Sequence, residues 1–306
     1  MSKPKIVVVG SSNTDMIIKA ERIPAPGETV VGGTFATAPG GKGANQAVAA
    51  ARAGGDVVFV ARVGDDMLGA QAVEGYAQEG IDVSFIQKDP ELATGVALIM
   101  VDSTGDNSIS VASGANFALT PADVDRAEEA IKSAKMVVFQ LESPLETIQH
   151  AAQIAKAAGV PVLLDPAPAP SEPLPQELLE CVAVVKPNET EAARLTGIEV
   201  TDEATARQAA EKLLELGVET AIVTRGVAGS YVATKDGVRK SAPAMRVDAV
   251  DATAAGDAYS GALAVALAEG RSLDDAVAFA SKAAALSVQK LGAQPSLPTR
   301  EEIERS

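Results

Sequence analysis

The sequence predicts an α/β protein of three layers, α/β/α, with a mainly parallel central sheet and a small β-sheet lid. Three observations carry that reading. Short β-branched runs alternate with helical stretches, the pattern of parallel strands joined by crossover helices. Polar residues follow these runs, as expected where ligands bind beyond the carboxyl ends of the strands of an open sheet. Two segments, residues 14–38 and 94–116, break the rhythm and contain no good helix.

The β-branched runs are 6–9, 57–60, 136–139, 160–164, 182–185 and 220–223, with a further apolar run at 245–250. Between and after them, apolar residues at helical spacing predict helices over 43–53, 69–79, 121–133, 145–158, 190–196, 202–216, 256–268 and 273–288. The run at 6–9 leads to Asn13 and Asp15, that at 136–139 to Gln140 and Glu142, and that at 160–164 to Asp165. Lys186, Asn188 and Glu191 follow 182–185; Thr224, Arg225 and Gly226 follow 220–223; Asp251 follows 245–250. Taken singly, each is an ordinary cap or turn residue, and only their gathering on one edge points to a site. Segment 14–38 mixes Pro and Gly with alternating apolar residues, and 94–116 reads as a hairpin joined at 103–107. Together they predict a small antiparallel sheet over the site, within a single domain spanning 1–306. Its exposed apolar face needs a partner, so the lid is expected to double as a homodimer interface.

Composition removes several classes of function. At 306 residues and 47% hydrophobic, the chain buries a large core and is not disordered. No apolar run approaches the roughly 18 residues that span a bilayer. The N-terminal MSKPKIVVVGSS has too short an apolar core for a signal peptide, so a cytoplasmic protein without membrane partners is expected. A formal charge of −15 argues against a nucleic-acid surface, and any phosphate must be held locally. The single histidine, His150, lies in an amphipathic helix and cannot supply a hydrolytic triad or a zinc site. The single cysteine, Cys181, sits in LLECVAVV and reads as packing. Chemistry must rest on carboxylates, lysines, backbone amides and a hard cation such as Mg²⁺.

The stretch VDATAAGDAYSGAL, residues 250–263, brings such groups together. Small residues open a helix at Gly256 and Asp257, where unpaired amides and the helix dipole favour an anion. A carboxylate beside an anion pocket suits phosphoryl transfer, with the amides stabilising charge and Asp257 taking a proton from a hydroxyl. For AAGD alone, complementing the dipole is the commoner use of such an Asp. APGGKGANQAVAAARAG, residues 38–54, places Lys42 and Asn45 after a Gly-Gly turn, but lacks the Ser or Thr and the glycine spacing of a Walker A loop. VVKPNETEAARLTG, residues 184–197, carries Asn188 and Glu191, either as oxygen ligands towards Mg²⁺ and phosphates or as a helix cap.

In order and spacing, GSSNTD (10–15), PGETV (26–30), GGKGANQAVAAARAG (40–54), GDD (64–66), QLESP (140–144), KPNETEAARLTG (186–197) and DATAAGDAYSGAL (251–263) resemble the ribokinase-like, or PfkB, carbohydrate kinases over essentially the whole chain. GGKGANQ, with GAQPS at 292–296, points to the members that phosphorylate D-ribose. The resemblance implies transfer of the ATP γ-phosphoryl group to the 5-hydroxyl of D-ribose, with Mg²⁺ and a monovalent activator, usually K⁺. It makes Asp257 the general base and the amides of Ala254, Ala255 and Gly256 the anion hole. Asn13, Asp15, Gly41, Lys42, Asn45 and Glu142 would hold the sugar. Asn188, Glu191, Thr224, Gly226, Gly229 and Ser281 would serve the nucleotide, with Glu191 reaching Mg²⁺ indirectly. The monovalent-cation loop falls on Asp251, Thr253, Ser287, Lys290, Gly292 and Ser296, several through backbone carbonyls. Thr253 stands where Ile is common and Ser281 where a His occurs. The alternatives are a kinase for another sugar or a nucleoside (deoxyribose, fructose, 2-keto-3-deoxygluconate), or a sugar sensor without catalysis. An aromatic content of 3% with no Trp disfavours a pocket that stacks a base.

Overall fold

The computed structural model describes residues 3–169 and 171–306. Its strands are β1 (Lys5–Val9), β2 (Asn13–Lys19), β3 (Thr34–Gly40), β4 (Asp56–Gly64), β5 (Ile86–Asp89), β6 (Gly95–Val101), β7 (Asn107–Ala112), β8 (Met136–Phe139), β9 (Val162–Leu164), β10 (Val184–Val185), β11 (Thr220–Thr224), β12 (Ser230–Thr234) and β13 (Arg239–Ala242). Its helices are α1 (Lys42–Arg52), α2 (Met67–Gln78), α3 (Pro121–Asp125), α4 (Glu128–Lys132), α5 (Leu145–Ala157), α6 (Gln176–Leu179), α7 (Glu189–Thr196), α8 (Glu203–Glu215), α9 (Ala255–Ala268), α10 (Leu273–Ser287) and α11 (Arg300–Arg305).

The large sheet has nine strands in the order β13-β12-β11-β10-β9-β8-β1-β4-β5. From β11 to β5 neighbours run parallel, and β12 and β13 close one edge antiparallel. Side-chain alternation along β1 produces the three layers. Val7 and Val9 join a core with Ile131, Ile148 and Leu213 on one face, while Ile6 and Val8 join Val48, Leu263 and Phe279 on the other. With both faces covered, strands read as continuous β-branched runs, which is why the sequence revealed them.

Helices begin where caps direct them. Thr120, Asn188, Asp202 and Thr299 each form a reciprocal capping box at the start of α3, α7, α8 and α11. The most consequential packing joins α1 to α9. A Cβ on Gly261 would lie 2.6 Å from Ala49 Cβ, so only glycine allows these backbones to approach as they do. This contact carries the first turn of α9 onto the polar side chains of α1.

Three expectations change. The run at 245–250 forms no strand: Arg246 and Asp248 interrupt its apolar residues, and Val250 is 61% exposed. The amides of Val250 and Asp251 donate instead to Val288 O at the end of α10 (2.7 and 3.0 Å). Segment 121–133 divides into α3 and α4, because the Ala127 amide bonds Val124 O three residues back (2.8 Å) and tightens the chain there. Segments 14–38 and 94–116 do contribute a four-stranded sheet, in the order β3-β2-β6-β7, but it is mixed rather than antiparallel. The central pair β2 and β6 runs parallel, joining Asn13 to Gly95 and Ile17 to Ile99 across a long stretch of intervening chain.

Candidate active site

Asp257 stands in the first turn of α9 and is 5% exposed. Its Oδ2 accepts from Asn45 Nδ2 and its Oδ1 from Gln46 Nε2, both at 2.9 Å. Burial pushes the carboxyl above its ordinary range; the Lys42 ammonium opposes that shift and the nearby Asp165 carboxylate adds to it. Ala254 caps the helix at φ 59°, the left-handed region, and is the non-glycine residue with positive φ among those described. A strained non-glycine residue at a helix start is characteristic of functional turns. The Ala255 amide donates to Ala252 O (3.2 Å). The turn thus occupies one of the expected anion-binding amides, leaving those of Gly256 and Asp257 pointing forward from the helix start.

Lys42 and Asn45 on α1 stand by this carboxylate, and the start of β2, the turn into α1 and the residues after β8 place Asn13, Asp15, Gly41 and Glu142 next to Lys42. Gly41, at φ 88°, turns the chain from β3 into α1. Glu142 accepts from the Lys42 amide (3.0 Å) and from the Ser11 hydroxyl. Asn13 Oδ1 accepts from Asn116 Nδ2 (2.7 Å), which fixes its amide. Burial and the Glu142 charge push the Asp15 carboxyl up to about 6. Burial pulls the Lys42 ammonium down, but Asp257, Asp165, Glu142 and Glu191 outweigh it and hold the group above its ordinary value. One cation is thus balanced against several carboxylates in a largely buried pocket.

On the other side of α9, Asn188 and Glu191 are engaged with each other: Asn188 Oδ1 accepts the Glu191 amide and Glu191 Oε2 accepts the Asn188 amide, both at 2.8 Å. The cap expected as one use of this motif is therefore real, and it leaves the second carboxylate oxygen of Glu191 for other work. Thr224 bridges back to Asn188, and Gly226 and Gly229 turn the chain between β11 and β12, where the Arg225 amide bonds Gly229 O (2.7 Å). Ser281 is half-buried on α10. Asp251 ties two loops together, accepting from the Thr253 amide and hydroxyl (2.9 and 2.6 Å) and from the Gly292 amide (2.8 Å). Ser287 and Ser296 are fully buried, while the Lys290 ammonium pairs with Glu302 (3.0 Å) at the surface. Arg52 clamps the same loop to α1 by donating to the carbonyls of Gln294 and Leu297, both at 2.8 Å.

The model for the pfkB family of carbohydrate kinases matches residues 3–300. The chain belongs to that family. Among members, it is 45% identical over 297 residues to a ribokinase of Haemophilus influenzae, covering 97% of this chain and 96% of that one. It is 39% identical over 298 residues to a deoxyribokinase of Salmonella typhi, with 97% of each chain covered. Among solved structures it superposes on the Arabidopsis thaliana ribokinase complexed with ribose and ATP with a TM-score of 0.93 at 37% identity, covering 100% of this chain and 98% of that one. Family membership accounts for the position of the polar edge, which also holds residues to which the motifs assigned no role. Gln46, Gln140, Asp165 and Lys186 are all buried in contact with the Asp257 network. A polar residue after each strand was the available signal for three of them, and Gln46 closes the GGKGANQ motif, but nothing local told which partners each would bond.

Proposed function

We propose that this pfkB family kinase transfers the γ-phosphoryl group of ATP to the 5-hydroxyl of D-ribose, giving D-ribose 5-phosphate and ADP. The observation that carries the chemistry is the buried Asp257 carboxylate, gripped by Asn45 and Gln46 at the start of α9 with Lys42 nearby. The ribokinase of H. influenzae, 45% identical along nearly the whole chain, supports ribose as the acceptor. The hydroxyl oxygen attacks the γ-phosphorus, its proton passes to Asp257, and the bond to ADP breaks. Asn13, Asp15, Gly41, Lys42, Asn45 and Glu142 hold the sugar hydroxyls. The free amides at the start of α9, those of Gly256 and Asp257, receive the transferring charge, while the Ala255 amide, bonded to Ala252 O, holds the turn that presents them. Asn188, Glu191, Thr224, Gly226, Gly229 and Ser281 border the nucleotide.

Mg²⁺ bound with ATP would neutralise charge on its phosphates, and Glu191, with one oxygen unused by its cap, fits an approach through water. K⁺ would be held by Asp251, Thr253, Ser287, Lys290, Gly292 and Ser296. These offer hydroxyl, carboxylate and carbonyl oxygens, the donor set a hard monovalent ion takes, and Lys290 contributes its carbonyl because its ammonium is paired outward. The small sheet serves as lid, and its outer face, with Ile18, Phe35 and Leu98 at 42, 66 and 55% exposure, is the surface for a second copy of the chain.

The S. typhi relative keeps 2-deoxyribose as a second reading. An ADP-release assay with D-ribose, 2-deoxy-D-ribose, D-fructose, 2-keto-3-deoxygluconate and nucleosides decides between them. D-ribose is expected to show the highest kcat/KM; a higher value for another acceptor replaces the assignment, and ribose binding without turnover makes the protein a sensor.

A further inference from the structure

Gln46 donates both hydrogens of its side-chain amide to carboxylates: one to Asp257 Oδ1 (2.9 Å) and one to Asp165 Oδ2 (2.8 Å). Its oxygen accepts from Gln140 Nε2 (2.6 Å), which fixes the orientation of that amide. Two buried carboxylates therefore hang from one nitrogen, an arrangement in which the Asp165 charge raises the proton affinity of Asp257. Lys186 compensates on the far side. Its ammonium, also buried, donates to Asp165 Oδ2 (2.9 Å) and to Gly256 O (3.2 Å), the carbonyl just before Asp257. Ser260 adds a third hydrogen bond to the same Asp165 oxygen (3.1 Å).

We propose that Asp165 and Lys186 are a charge-balanced positioning pair, which sets the proton affinity of Asp257 through Gln46 and holds the turn of α9 through Gly256. The inference rests on Asp257 being the proton acceptor of the reaction. The groups that face Asp257 are Lys42, Asn45 and Gln46 on α1 and Asp165 after β9; Lys186 after β10 reaches it through Asp165 and the Gly256 carbonyl, and Glu142 and Glu191 through Lys42. Because Lys42 also serves the sugar side, Lys186 is the cation committed to balancing Asp165. A buried pair of this kind contributes little net stability, so its use lies in what it does to its neighbours.

The test compares the full-length protein with Lys186→Met, Asp165→Asn and the double variant. In each, the acid limb of kcat/KM for the sugar is measured, and the Asp257 carboxyl is titrated by ¹³C NMR without substrate. Lys186→Met leaves Asp165 unbalanced and moves the Asp257 titration to higher pH by about one unit. Asp165→Asn leaves Lys186 unbalanced and moves it lower by a similar amount, and the double variant returns it towards the wild-type position. Structural damage does not produce shifts of opposite sign that cancel. The proposal is overturned if both single variants shift the same way, if neither shifts, or if Lys186→Met raises only KM for ATP, which makes Lys186 a phosphate contact. Should Lys186→Met fail to fold, Asp165→Asn decides alone, since a merely structural Asp165 leaves the titration in place. If the wild-type protein phosphorylates no sugar, the functional reading fails while the NMR titration still decides the pair.

Discussion

In the large sheet, residues 6–9 of β1 are wholly buried, and the carboxyl ends of β8, β9 and β10 deliver side chains into a hydrogen-bonded cluster in which Gln46, Asp165, Lys186 and Asp257 are each under a tenth exposed. The small sheet that faces the same site has Phe35, Leu98, Ile109 and Val111 more than half exposed, and every residue of β7 is exposed. One region spends its burial on holding charged groups at fixed distances. The other leaves apolar surface on both faces: Ile18, Phe35 and Leu98 share one side, and Ile17, Ile99 and Ile109 share the side that carries Asp15. The difference teaches that rigidity is concentrated in the large sheet, since a packed core does not deform continuously and a lightly packed sheet moves at small cost.

The largest expected effect lies in the packed region. Asp257→Asn keeps the size of the side chain but loses the base and one of the two accepted hydrogen bonds, so kcat for the sugar falls by roughly 10²-fold or more. Sugar binding measured by calorimetry persists. Turnover near the wild-type level removes Asp257 from the role. The contrast between the sheets is sharpened by stability: Leu263→Ala, in the core between α1 and α9, lowers unfolding free energy by about 2–5 kcal/mol. Leu98→Ala in the lid changes it by less than about 0.5 kcal/mol. Denaturant titration of both checks this, and equal losses would break the division. On the proposed pairing of two copies through this face, Leu98→Asp gives a monomer in sedimentation without unfolding it, and a wild-type monomer would overturn the pairing.

The smallest effect concerns Asp15, at the junction of the two regions. Its carboxyl, raised to about 6, binds a proton more tightly in the folded chain than in the unfolded one. The stability it contributes is fully present below the unfolded pKa and is lost as pH rises through about 6. Asp15→Asn is therefore expected to stabilise the protein at pH 8 by on the order of 1–2 kcal/mol, after discounting for its partial exposure, and not at pH 4. Its affinity for the sugar drops at the same time. A gain that is equal at both pH values would mean that the charge of Asp15 is not what the pocket strains against.

Much of the large sheet was legible because each buried parallel strand is a short β-branched run, and each crossover helix shows a 3.6-residue stripe or a cap such as Thr120 or Asn188. The edge strands β5 and β13 were not, because partly exposed strands of four residues carry little pattern, and β12, buried but only five residues long, follows directly on the Gly226 to Gly229 turn. The 245–250 run misled because apolar residues mark a strand only when a neighbour is there to pair with them, and Val250 instead bonds Val288. The site divides similarly. Asp257, Lys42 and Asn45 lie in local motifs, whereas Asp165 looked like an ordinary turn residue until Gln46, 119 positions away in the chain, was found bonded to it.

By itself the sequence determined the alternating α/β order, the helix start at Gly256 and Asp257 and the family of kinases to which the motifs belong, since turn glycines, caps and periodicity are local properties of the chain. Only the tertiary structure decided that β2 pairs in parallel with β6, that Gly261 lets α9 lie against α1, and that one glutamine amide joins the base to a lysine-balanced carboxylate. Those are contacts between residues far apart in sequence. A side chain's charge and hydrogen-bonding capacity are written in its own identity, but the partner that uses them is set by packing.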